Sequence, residues 1–282
     1  MKYKCIVFGF LFACALVSAQ TKLPFRLTEN NNIILKTIVN EKDSLDLMFQ
    51  IAMDEGAIVP NPIHAVNTIK YDTSNYSASN DVQISDKKWT NFPFTANQYS
   101  GLESDGKIGM QLFEGQVLEV NYDNSQLVMH QKMPSVQGYR PVKIDYRNGA
   151  MFIEVESKIG DETYKHWFYL QSGYSGALLY DDIFSEQQQL SEKLVIVSEK
   201  ILKNSRGQQV ATKYSVVSDV KVQGFEFNNV AVGYFEGELK NQPFSLFGAD
   251  MLKRFNWIIN ADRSMAWIKP SKYYNTPYLS IQ

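Results

Sequence analysis

Leu246-Phe247-Gly248-Ala249-Asp250-Met251-Leu252-Lys253-Arg254-Phe255 is the stretch on which the fold turns, because its pattern occurs twice. Lys107-Ile108-Gly109-Met110-Gln111-Leu112-Phe113 repeats it: a glycine after apolar residues, a short amphipathic piece, then a strand-like run. Laying residues 109–129 over 248–268, a shift of 139, places Gly109 on Gly248, Asn121 on Asn260, Asp123 on Asp262 and Ser125 on Ser264. Apolar positions follow, with Leu112 on Met251, Phe113 on Leu252, Leu118 on Trp257 and Val120 on Ile259. A repeat of this kind marks one structural unit used twice.

An earlier match extends the duplication. Residues 45–57 align with 162–174 at a shift of 117, which brings Gly56 to Gly173, Ile51 to Phe168 and Met53 to Leu170. Each half then reads as an apolar strand ending in a turn, followed later by the glycine–helix–strand element. Pro134, Ser135 and Gly138 interrupt the pattern between residues 133 and 139, so the expected division is 20–137 and 138–282.

Short Val-, Ile-, Tyr- and Phe-rich runs dominate the rest. Phe152-Ile153-Glu154-Val155-Glu156 alternates apolar and polar residues, the period-two pattern of a half-buried strand. Helical pattern is scarce; residues 181–194, acidic at the start with Leu190 and Leu194 four apart, form the best candidate. The expected class is mainly β with a few short helices.

Lys2 and Lys4, the apolar run 6–17 and Val17-Ser18-Ala19 before Gln20 read as a secretory leader spanning 1–19. That run is shorter than the ~20 apolar residues a bilayer span needs, so the expectation is export to the periplasm, cell surface or medium. A lipid anchor at Cys14 fits poorly, because Phe12 is bulky for such a site and the apolar run continues past it. Cys5 and Cys14 are the two cysteines of the chain and both lie in the leader. The mature chain therefore has no disulfide, thiolate metal site or cysteine nucleophile. The formal net charge of −2 becomes −4 once Lys2 and Lys4 are removed, which points to no polyanionic partner such as nucleic acid. A second apolar run long enough for a membrane span is absent from the sequence.

The repeated elements resemble those of the aspartic peptidases of the pepsin and retropepsin type, in their bacterial exported branch. That family carries an Asp-Thr/Ser-Gly-Ala/Ser turn after an apolar strand in each lobe and packs an apolar-Gly element behind it. Residues 248–255, followed by the Trp257 strand and Asp262, are similar to the second such element, and Asp105-Gly106-Lys107-Ile108-Gly109 to the first. The resemblance covers about residues 35–270. It implies a two-lobed, mainly antiparallel pepsin-like acid-protease fold with approximate two-fold symmetry and a peptide-holding cleft, without a cofactor.

The catalytic turns depart from the pattern. Aspartic catalysis uses two carboxylates sharing one proton, one acting on water as base and the other as acid. Asp54 takes the first catalytic position, with Glu55 replacing the small hydroxyl residue and Gly56 and Ala57 following. Gln171 takes the second, with Ser172 and Gly173 intact. The resemblance makes Glu55, Gly56, Ala57, Ser172 and Gly173 the expected substrate-contacting residues. An amide cannot cycle a proton, so Asp54 with Gln171 implies a pseudo-peptidase binding a peptide or protein segment. An atypical endopeptidase relying on Asp54 is the alternative.

Other chemistries find little footing. His64, His130 and His166 have no metal-ligand spacing. Gly173-Tyr174-Ser175-Gly176 lacks the Gly-x-Ser-x-Gly spacing of a serine nucleophile turn. The polar stretch 71–88 fits either a flap-like hairpin over the cleft or a solvated loop.

Overall fold

The computed structural model describes residues 20–203, 209–235 and 242–279. Residues 1–19, the expected leader with Cys5 and Cys14, lie outside the described residues. Three sheets account for the strands, and helices are confined to short turns. The mainly β expectation holds.

A mixed sheet from the first half is built on Ile33–Val39 and Asp43–Phe49, joined by a turn at Asn40 and Glu41, both with positive φ. Gly106–Ile108 lies between two neighbours, parallel to Asp43–Phe49 and antiparallel to Gly56–Ile58. The second half repeats this arrangement. Ser245–Gly248 runs parallel to Glu162–Gln171 and antiparallel to Leu178–Leu179. Its principal hairpin, Ala150–Ile159 with Glu162–Gln171, turns at Gly160 (φ +61) and Asp161. Positive φ at the first central residue is the geometry that suits glycine and matches the twist of paired strands.

The third sheet joins the halves. Its six strands run in the order Thr21–Pro24, Gln126–His130, Val117–Asn121, Phe255–Ile259, Met265–Pro270 and Arg140–Lys143. At its centre Glu119 pairs with Ile258, flanked by Leu118 with Ile259 and Val120 with Trp257. Glu119 and Ile258 are related by the 139-residue shift, so a local two-fold axis passes through this pair. The repeat is a structural symmetry, with three strands of the sheet on either side of it.

The helical expectation over 181–194 is half met. Asp181 caps Asp182–Gln187 by accepting the Phe184 N–H at 2.8 Å. Gln189 then adopts φ +53 and the chain restarts as Leu190–Lys193. A left-handed residue cannot continue a right-handed helix. The stretch 71–88 divides: Tyr76 lies against Glu55, whereas the later residues pack elsewhere. Val82–Ile84 and Lys87–Trp89 make a hairpin paired with Val39 and Ile38, at the end of the sheet remote from Phe49 and Gln50.

Candidate functional site

The parallel ladders that flank the inner strands carry two turns to the same place. Phe49 is in register with Ile108, and the Gln50 N–H continues the ladder to the Ile108 carbonyl at 2.9 Å. In the other half Leu170 is in register with Phe247 and Gln171 with Gly248. Gln50 and Gln171 thus leave equivalent strands at equivalent points, and their side chains meet: Gln50 Nε2 donates to Gln171 Oε1 at 2.9 Å. The Gly173 N–H donates to the same oxygen at 3.1 Å. Two converging donors fix the Gln171 amide with its oxygen toward Gln50, since Oε1 alone can accept both.

This corrects the alignment of the first turn. The structural shift is 121 residues, where 117 was read from the sequence, and the partner of Gln171 is Gln50 in place of Asp54. Ile51 and Ala52 are then the counterparts of Ser172 and Gly173. The grip between the turns is one-sided as a result. Ser172 Oγ accepts the Ile51 N–H at 2.9 Å and donates to the Phe49 carbonyl at 3.0 Å, both buried. Ile51 has no hydroxyl with which to return it. Asn32, whose Nδ2 donates to the Ser172 carbonyl at 3.0 Å, adds a second tie across the halves.

Asp54 serves another purpose. Its carboxylate is about half exposed and takes Arg263 Nη1 at 2.9 Å. The same guanidinium donates to the Tyr146 hydroxyl at 3.1 Å. The Asp54 carbonyl accepts the Gln111 N–H, and Tyr169 reaches over to the Ala52 carbonyl at 2.8 Å. Burial, with the Asp54 charge adding to it, pushes the Tyr169 hydroxyl up to about 12. Glu55 accepts a long hydrogen bond from Tyr76 at 3.4 Å. Gly56 and Ala57 are buried strand residues, and a Cβ on Gly56 would come within 2.5 Å of the Phe94 ring. Ser172 is buried too, which leaves Gly173 as the exposed member of the expected contact set.

Behind the turns the two repeated glycines do one job. A Cβ on Gly109 would lie 2.3 Å from the Met53 carbonyl oxygen, and one on Gly248 would lie 2.2 Å from that of Gly176. Both contacts are to backbone, which cannot swing away. The glycine therefore sets how closely the turn approaches the inner strand.

The three histidines each face a single carboxylate at 2.8 Å: His64 with Asp105, His130 with Glu119 and His166 with Asp181. His166 Nε2 also lies 2.9 Å from Ser245 Oγ, but that hydroxyl is buried and donates to Asp181 at 2.8 Å, so it is no nucleophile. Among the described residues no cluster of three or more His, Cys, Asp or Glu forms a metal-binding group. No helix among them is long and apolar enough to cross a membrane. A cavity of about 340 Å³ opens elsewhere, lined by Lys87, Trp89, Gln111 and Glu114 among others, and neither Gln50 nor Gln171 borders it.

No family model matches this chain, and no curated protein matches it. Among solved structures, that of an aspartic proteinase from Irpex lacteus superimposes on 92% of this chain and 99% of its own, with a TM-score of 0.58 and 10% identity. The fold is pepsin-like. Within that pepsin-like frame the positions where the two turns meet are Gln50 and Gln171, and each lacks a carboxylate. Asn32 and Arg263 carry no sequence signal that marks them as part of this arrangement. For Gln50 a signal existed, since a shift of 121 also aligns Phe49 with Leu170 and Ala57 with Leu178.

Proposed function

We propose that this chain is an exported, non-hydrolytic protein of pepsin-like fold that holds an extended peptide or protein segment across the paired turns. The hydrogen bond between Gln50 and Gln171 carries this reading. Two carboxamides cannot share and pass a proton as two carboxyls do, so the reaction of aspartic peptidases has no base or acid here. What remains is recognition. With Gln171 Oε1 occupied twice, Gln171 Nε2 and Gln50 Oε1 remain as a donor and an acceptor at the paired turns. A peptide group presents the complementary acceptor and donor, and extended chains bind by such strand-like pairing. Asp54, committed to Arg263, supports the frame. Export rests on the leader, and secreted protein beginning at Gln20 by mass spectrometry is its check.

The test is digestion of unfolded casein between about pH 3 and 7, the range in which a carboxyl dyad would titrate. Purified protein leaves casein intact, as does its Asp54→Asn variant. Cleavage by the parent that disappears in Asp54→Asn would overturn the proposal and establish an atypical endopeptidase.

A further inference from the structure

The first half carries a charged residue where the second half has an apolar one. Lys107 sits at the middle of the inner strand Gly106–Ile108 and is 5% exposed. It is in register with Met48 on one side and Ala57 on the other. Side chains in register share a face, and residues two apart on a strand share it too. Met48 is two residues before Gln50, so Lys107 stands on the face that carries Gln50, one row behind it.

Lys107 makes no hydrogen bond or ion pair among the described residues. The acids nearest it along its own strand and the paired strand are otherwise engaged. Asp105 Oδ2 accepts the Asp46 N–H at 2.8 Å and meets His64, Glu103 pairs with Arg26, and Glu55 takes the Tyr76 hydroxyl. The amine is not sealed, however: it keeps some accessible surface, unlike the unpartnered Arg254 Nε and Tyr71 hydroxyl. Burial lowers its proton affinity from the usual lysine value, with no neighbouring charge to restore it. A mostly buried cation without a partner is costly, and proteins seldom keep one without use.

The internal symmetry supplies the control. The 139-residue shift takes Lys107 to Leu246, which is in register with Tyr169 and Leu179 as Lys107 is with Met48 and Ala57. Leucine at this point of the same architecture folds without difficulty, so the frame does not require a cation there.

We propose that the Lys107 ammonium is an anion-recognising group beside Gln50, and that the segment held at the paired turns brings a carboxylate to it. This rests on the peptide-binding reading above and adds the chemical class of the ligand. The carboxylate comes from an acidic side chain or from a chain end, and these sources are separable.

Three pools of octapeptides serve as probes, their variable positions drawn from Ala, Ser, Thr, Val and Tyr. The first fixes glutamate at position four with an amidated C-terminus, the second fixes glutamine with the same end, and the third pairs glutamine with a free C-terminus. Retention on immobilised protein is read by mass spectrometry. One carboxylate pool is expected to be retained about tenfold or more over the amidated glutamine pool, as a charge-assisted hydrogen bond provides. The first pool assigns the carboxylate to a side chain and the third to a chain end. In Lys107→Leu that preference falls to parity, while circular dichroism stays unchanged and the urea midpoint equals or exceeds that of the parent. Equal retention of all three pools overturns the role of Lys107 and leaves the peptide-binding reading intact. Retention of none overturns both. A preference that survives Lys107→Leu, or a lowered urea midpoint in that variant, also overturns the proposal, the latter by showing that Lys107 supports the fold.

Discussion

Gln50 Nε2 donates to Gln171 Oε1 at 2.9 Å, joining two residues 121 positions apart where the pepsin-like frame brings its halves together. Directly behind it, Ser172 bonds to the backbone of Phe49 and Ile51. Asn32 and Tyr169 add hydrogen bonds to the Ser172 and Ala52 carbonyls, so the contact between the turns rests on neutral hydroxyls and amides whose contributions can be measured.

Ser172→Ala leaves a buried N–H and a buried carbonyl without their partner. The expected loss is about 2–4 kcal/mol, from roughly 1–3 kcal/mol for each unsatisfied buried group with some relaxation. Ser172→Thr keeps the hydroxyl and recovers most of it. Urea unfolding followed by tryptophan fluorescence reads both; an alanine variant as stable as the parent would show that the grip contributes nothing.

Asp54→Asn and Arg263→Ala should differ in size. The Asp54 carboxylate is half exposed, and an exposed pair is worth at most about 1 kcal/mol. Arg263 is largely covered and also bonds Tyr146 and the Met110 carbonyl, so its truncation removes packing and hydrogen bonds together. The midpoint shift of Arg263→Ala is expected to be at least twice that of Asp54→Asn.

Gly109→Ala and Gly248→Ala should fail in the same way. Each places a methyl group against a backbone oxygen at 2.3 or 2.2 Å, which forces the turn away from the inner strand. Overpacking of this kind costs about 1–3 kcal/mol or more. The two variants should lose similar stability, and a tolerated alanine at one site only would break the equivalence of the repeats.

Acid should weaken the fold through two carboxylates. Burial opposes the charge of Asp181, yet hydrogen bonds from His166, the Phe184 N–H and Ser245 hold its carboxyl below the ordinary 3.8. Burial likewise opposes the charge of Asp43, and Thr68 and Asn67 hold it below the same value. A carboxyl depressed in the folded state contributes stability that is present above its unfolded value and lost as pH falls through the folded one. The urea midpoint is therefore expected to fall as pH drops from about 5 toward 2. Asp181→Asn should flatten part of that fall.

Much of the fold was legible because strands advertise themselves. Alternation in residues 152–156 marks a half-buried strand, and glycine followed by a short helix and a strand is spaced alike in both halves. The late repeat was read in register because Gly109 and Gly248 meet the same steric demand. The early repeat was misread because Gly56 and Gly173 are glycines for different reasons: Gly56 gives room to the Phe94 ring, whereas Gly173 lies beside the glutamine pair. The position equivalent to Gly173 is Ala52, so matching glycine to glycine slid the first turn by four residues.

The sequence by itself determined the duplicated, mainly β architecture and the missing carboxylate at Gln171, since periodicity, turn residues and side-chain chemistry are local properties. Only the tertiary structure decided which residue faces Gln171, what Asp54 binds and which face Lys107 occupies. Those depend on register between strands more than a hundred residues apart. Register is set by backbone ladders and by the rings and carbonyls that crowd a turn, and none of these is visible in the order of residues along one strand.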